Sequence, residues 1–275
     1  MSVSTRTDKV PDEIEPWVEL LSRLGYATKG VVYTIVGILA LQAAAGTRSA
    51  NVSTSDALTQ IYTQPFGRIL LIIVGVGLAG YVLWREMQAF LDPERNGSDM
   101  EGVAKRVGYF FSGLGYAALA FSAFQLVFTG RGGGGNSTQN WTARAMGMPA
   151  GRWLIGVVGL VVVGVGLAQF VRAFKASFKK HLDLSGMDSD LRSWTIRIGQ
   201  AGTAARGTVY VLIGLFLGQA AWQYDPQEAG GLGQALQKVV QQPYGPWLLA
   251  VIAVGLIAYG LYALIMSRYR RIPIE

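Results

Sequence analysis

Gly25-Tyr-Ala-Thr-Lys29-Gly30-Val-Val-Tyr33, Gly108-Tyr-Phe-Phe-Ser112-Gly113-Leu-Gly-Tyr116 and Gly202-Thr-Ala-Ala-Arg206-Gly207-Thr-Val-Tyr210 are one stretch written three times. A glutamine follows each closing tyrosine at the same distance: Gln42, Gln125 and Gln219. A second marker comes later in each copy, as Pro65-Phe-Gly67, Pro149-Ala-Gly151 and Pro243-Tyr-Gly245. The interval from first to second marker glycine is constant to within one residue, which shared hydrophobicity alone does not produce.

Working outward, each copy holds two apolar runs, at about 30–45 and 69–84, 107–128 and 153–171, and 208–222 and 247–266. Each run is close to the ~20 residues that cross a hydrocarbon core of about 30 Å. The expected fold is therefore all-α and membrane-integral: six transmembrane helices as three tandem helical hairpins in a pseudo-threefold arrangement. Residues 1–22 form a polar N-terminal segment, followed by repeats over 23–90, 106–174 and 200–268. Within the first segment, Trp17, Leu20, Leu21 and Leu24 share one helical face and predict a short helix at the membrane interface or docked on the bundle. Its five acidic residues, and the internal position of the matching runs in copies two and three, argue against a cleaved signal peptide. Short amphipathic helices are expected before Pro65 and Pro243, with Trp141 to Met146 in that place in copy two.

Charge orients the bundle. Of the 24 Lys and Arg residues, 18 fall on the side of the N-terminus. The positive-inside bias then puts both termini in the cytoplasm. The net charge of +7 follows that topology and not a nucleic-acid stripe. Lys175, Lys179 and Lys180, just past a span, are expected to lie over anionic headgroups. Lys29 and Arg206 stand near helix starts, where they can snorkel.

Chemistry is sparse. With no cysteine and the single histidine His181, thiolate, iron–sulfur and multi-histidine sites are excluded. No nucleophile elbow is present, and Gly132–Gly135 is not followed by the Lys-Ser/Thr of a phosphate-binding loop. No catalytic, cofactor-binding or metal-ligating residue is assigned, and the chain is expected not to be an enzyme. None of the six runs carries an acidic residue near its centre, which disfavours coupled transport.

The repeated residues sort by helical angle. Gly30, Tyr33 and Gly37 lie within about 60° of one another, as do Gly113 and Tyr116, and Gly207, Tyr210 and Gly214. Such a face suits close helix packing in lipid. Gln42, Gln125 and Gln219 point from the opposite face. They are the candidate polar site, either at the interface or converging on the pseudo-axis.

The set of motifs, from Arg/Lys-Gly-x-x-Tyr to Gln-Pro-Phe-Gly-Arg at 64–68 and Gln-Pro-Tyr-Gly at 242–245, resembles the bacterial membrane family known as domain of unknown function 1206. The resemblance covers about residues 23–270 and implies three consecutive two-helix units in a bacterial plasma (inner) membrane, without an activity. Copy two departs from it at Ser112 and Ala150, and copy three at Pro246. The expected role is a structural or accessory membrane protein binding lipid, a hydrophobic molecule or partner membrane proteins, with no nucleic acid and no cofactor. The alternative is a small channel or uncoupled transporter along the pseudo-axis.

Overall fold

The structure, a computed structural model, describes residues 15–47, 52–92, 97, 99–130, 137–177 and 187–269. The Gly132–Gly135 run, Lys179, Lys180 and His181 lie outside the described residues, as do residues 1–14. Six long helices carry the chain back and forth: α1 (Glu15–Ala44), α3 (Gly67–Phe90), α4 (Met100–Thr129), α6 (Gly151–Lys175), α7 (Ser189–Gln223) and α9 (Gly245–Tyr269). Each is long and apolar enough to cross a membrane, and the chain reads as a multi-pass membrane protein. Three short helices, α2 (Thr54–Tyr62), α5 (Ser137–Met146) and α8 (Leu232–Val240), fill the hairpin loops. The expected interfacial segment is not a separate helix. No proline or glycine breaks the chain between Pro16 and Gly25, so α1 runs unbroken from Glu15, with Leu20 and Leu24 exposed on its first turns.

Each short helix turns into the next long one through the same strained corner. Phe66, Ala150 and Tyr244 all take the left-handed conformation, with φ of 60°. The glycine after each is required by contact. A Cβ at Gly67 would lie 2.2 Å from Tyr62 O, at Gly151 1.8 Å from Ala145 O, and at Gly245 2.2 Å from Val240 O. Gly67, Gly151 and Gly245 thus recur because the short helix's last carbonyls press on the start of the next span.

The glycine–tyrosine faces lie between copies. On α1, a Cβ at Gly30 would sit 2.7 Å from Leu264 Cγ and 2.8 Å from Gly260 O of α9, and one at Gly37 2.8 Å from Ala253 O. On α7, Gly207 and Gly214 meet α6 in the same way, at Gly166 O (3.0 Å) and Gly159 O (2.6 Å). On α4, Gly113 meets Arg85 and Glu86 of α3. Glu86, Phe170 and Leu264, the residues these faces meet, occupy one repeat position. A polar tether repeats there too. Arg106 donates from Nε to Ala89 O at 2.8 Å and Gln200 from Nε2 to Ala173 O at 3.0 Å, satisfying carbonyls at the ends of α3 and α6. The first helix of each copy thus packs on the second helix of the copy before it, and copy one packs on copy three.

Within copies, α1 packs on α3 and α7 on α9, but no comparable packing joins α4 to α6. The bundle is an arc, α4–α3–α1–α9–α7–α6, open across its middle hairpin. The half nearest the short helices is filled by an apolar core that includes Val36, Leu39, Leu58, Leu126, Leu236 and Leu249.

The asymmetry between tight and open faces can be measured. Gly37→Val drives a side chain into α9 backbone and should lower stability by about 1–3 kcal/mol. Gly164→Val, with nothing within 4 Å of its Cβ, should leave the thermal unfolding temperature in detergent unchanged or higher.

Candidate functional site

The other half of the bundle, towards the end where the described chain begins and finishes, is built on tyrosines and cations. Tyr81 and Tyr259 stand at the same position of α3 and α9, fourteen residues past the corner glycine, or about 21 Å along the helix. Lys29 Nζ donates to the Tyr81 hydroxyl at 3.1 Å. It lies 5.0 to 5.8 Å from the ring centres of Tyr26, Tyr81, Tyr116 and Tyr259. In copy three, Arg206 donates from Nη1 to the Tyr259 hydroxyl at 2.6 Å and from Nη2 to that of Tyr210. Its guanidinium sits over Tyr33, Tyr210 and Tyr259, the last at 4.4 Å. Arg85 adds a third cation. It donates to Tyr81 Oη at 2.8 Å and to Gln88 Oε1 at 2.9 Å, and stacks on Tyr109. Charged hydrogen bonds and ring faces replace the water that these groups lose in the membrane.

Lys29–Tyr81 and Arg206–Tyr259 each join the two helices of one hairpin. Copy two has Ser112 and Val165 at the same two positions, so both members of the pair are missing. A second recurring contact fails for the same reason. Tyr33 meets Tyr259 edge to face at 4.9 Å and Tyr116 meets Tyr81 at 4.7 Å. Tyr210, the third of the series, has Val165 in the place of its partner ring.

Sterics complete the case. Hairpins one and three close on small pairs: a Cβ at Gly77 would be 1.9 Å from Thr28 Oγ1, and one at Gly255 2.4 Å from Ala205 Cβ. The equivalent pair in copy two is Phe111 and Val161, too bulky for that approach. Where Thr28 is 7% and Ala205 9% exposed, Phe111 is 63% exposed. Val158, Val161 and Val165 on α6, and Gly108 and Gly115 on α4, hold the repeat positions whose counterparts are buried in hairpins one and three. Both glycines have nothing within 4 Å of their Cβ positions. On the loop side, α2 spans α1, α3 and α4, whereas α5 packs on α6 and the short 3-10 turn Pro226–Glu228 of copy three. Trp141, exposed, takes the position of the fully buried Ala57 and Ala235. In the middle hairpin, then, the two helix faces that close hairpins one and three stay apart.

The sequence-derived candidates separate accordingly. The structure does not bring Gln42, Gln125 and Gln219 together. Gln42 and Gln219 are exposed and Gln125 is half-exposed. They share helix stripes with Ile38, Phe121, Phe128, Leu215 and Trp222, which face outward. Tyr33, Tyr116 and Tyr210 are the repeated residues that reach the cation layer. Lys29 does not snorkel: it is 3% exposed inside its tyrosine cage. Lys175 is exposed on the last turn of α6. Arg85, Tyr81, Tyr259, Phe111 and Val165 were not singled out in the sequence, although aligning the second half of each copy shows Tyr81, Val165 and Tyr259 in one column.

Three matches to the family model "Domain of Unknown Function (DUF1206)" cover residues 24–92, 107–176 and 201–270. An uncharacterized protein of Bacillus subtilis (strain 168), YxxB, is 37% identical over 276 residues, spanning all of both chains. No solved structure matches.

Because the chain lacks cysteine, paired cysteines report hairpin closure directly. Thr28→Cys with Gly77→Cys should cross-link under mild oxidation after a small adjustment towards disulfide geometry. Phe111→Cys with Val161→Cys should stay reduced, read by mobility after thiol labelling. Tyr81→Phe removes an acceptor shared by Lys29 and Arg85 and should cost about 1.5–3 kcal/mol in unfolding assays.

Proposed function

The chain belongs to the DUF1206 family, and for it we propose a non-enzymatic, accessory role: a membrane protein that holds a lipid or other hydrophobic molecule in its open middle hairpin. One observation carries this reading. The same intramolecular face is buried in hairpins one and three and exposed in hairpin two. Three substitutions at three contact positions, Phe111, Val161 and Val165, all act against closure.

In a bilayer the cleft between α4 and α6 does not stay empty. Its walls are apolar, and an acyl chain or a molecule of similar polarity fills it at no cost in unpaired polar groups. An occupant there would lie between two helices of one hairpin and not on the outside of one. The bias of basic residues supports an orientation with the tyrosine–cation layer in the cytoplasmic half.

The channel alternative has less support. A solute following the pseudo-axis must cross the apolar core of Val36, Leu39, Leu126, Val209 and Leu249. Among the described residues, the buried polar side chains, Thr142 apart, gather in the tyrosine–cation half.

Closing the hairpin tests the proposal. Phe111→Ala, Ser112→Arg, Val161→Gly and Val165→Tyr together give copy two the small pair and the cation–tyrosine pair of copy three. Native mass spectrometry from mild detergent should show retained lipid or hydrophobic ligand falling about tenfold relative to the original chain, the equivalent of ~1.4 kcal/mol. Unchanged retention in a companion variant that combines Ser112→Arg and Val165→Tyr with Phe111→Cys and Val161→Cys, and whose 111–161 pair now cross-links, would overturn it.

A further inference from the structure

We propose that the occupant of the cleft is a single acyl chain ending in a carboxylate, an amphiphile of the fatty-acid class, with its headgroup held at Arg206. This rests on the reading of the cleft as a ligand site and adds the chemistry that the site selects.

Charge is the first argument. Neither Arg85 nor Arg206 has a carboxylate partner among the described residues; their polar contacts are the tyrosine hydroxyls and Gln88. Cations held within a membrane-spanning bundle attract an anion strongly, because no water screens them.

The second is where the cover is missing. Lys29 is enclosed by four rings, one of them Tyr259 on the second helix of the preceding copy. For Arg206 the matching position on the second helix of the preceding copy, α6, is Val165, so that ring is missing. Arg206 accordingly is only part-buried, while Lys29 is sealed. Its Nε, and the Tyr116 hydroxyl on α4, are buried atoms that make no hydrogen bond. A carboxylate can accept from both kinds of donor, and Ser112 on α4 supplies a third donor, a hydroxyl, at the layer where copies one and three place their cations.

Depth then chooses the headgroup. Val165 lies ten residues before Lys175, the end of α6, or about 15 Å along the helix. A phospholipid phosphate stays near the interface, roughly at that helix end, and would have to drag a hydrated headgroup inward. A carboxylic acid enters hydrocarbon as the neutral form and ionises on meeting the guanidinium. The proton leaves to water through the mouth of the cleft, and no covalent bond changes.

The test is binding to the full-length protein in nanodiscs of zwitterionic lipid. Three isotopically labelled probes are compared: palmitic acid, its methyl ester, and an anionic phospholipid. Wild type is expected to bind the acid at least about tenfold more tightly than the ester. Arg206→Gln should bring the acid down to the ester. Arg206 also braces Tyr210 and Tyr259, so Ser112→Asp serves as the independent variant: it leaves those contacts intact, sets a carboxylate beside the headgroup, and should likewise abolish the preference while ester binding persists. Equal binding of acid and ester, or an acid preference that survives Ser112→Asp, overturns the headgroup assignment yet leaves the cleft reading standing. Displacement of the acid by the anionic phospholipid at equal concentration assigns the site to a phospholipid instead and also overturns it. If the closed-hairpin variant retains both acid and ester at wild-type levels, the cleft reading itself fails.

Discussion

A cation meeting a tyrosine hydroxyl across two helices, deep in the terminal half of the bundle, decides which hairpins close. In water such a contact would be worth little. In a membrane the two groups have few other partners, and each must be satisfied within the protein. Lys29–Tyr81 and Arg206–Tyr259 therefore act as latches on copies one and three. Small pairs beside them, Thr28 with Gly77 and Ala205 with Gly255, let the helices come near enough for the latch to engage. The tyrosines serve twice, since Tyr81 and Tyr259 also pack edge to face against Tyr116 and Tyr33 of neighbouring copies. Losing one ring at Val165 thus removes a hairpin latch and an aromatic contact between copies together.

The backbone seams between copies obey a different rule and hold where the latch is missing. They depend on small residues that let backbones touch, with spacing set by helical periodicity. The two systems are separable: copy two keeps the second and lost the first. Hence the molecule holds its cyclic order while one of its six walls stands open.

Much of this was legible in the sequence. The six spans, the three hairpins and the packing face at Gly30, Gly37, Gly207 and Gly214 followed from spacing and helical angle. The glutamines did not converge because periodicity gives a relative angle on one helix and not which side meets the bundle; Ile38 and Leu215, apolar neighbours on the same stripes, face outward. Lys29 looked like a residue at a helix start, yet the helix begins fifteen residues earlier in space than the apolar run suggests, at Glu15, so the lysine is carried inside. The open hairpin is written in Ser112, where copy two departs from its family's pattern, and in Phe111, Val161 and Val165. Those three are ordinary apolar residues in any single window. Only their pairing across two helices gives them meaning, and pairing is a property of the fold.

The tight seam between α1 and α9 bears on how the protein is made. Of the six long helices, α1 is made before the other five and has its partner in α9, so Gly30 and Gly37 wait, facing lipid, until α9 has been inserted. Copies two and three meet their predecessors as they emerge, and only copy one does not. Closing this arc therefore takes a single long-range docking event, and a chain halted before α9 would leave the membrane holding an unfinished arc with α1 unclaimed.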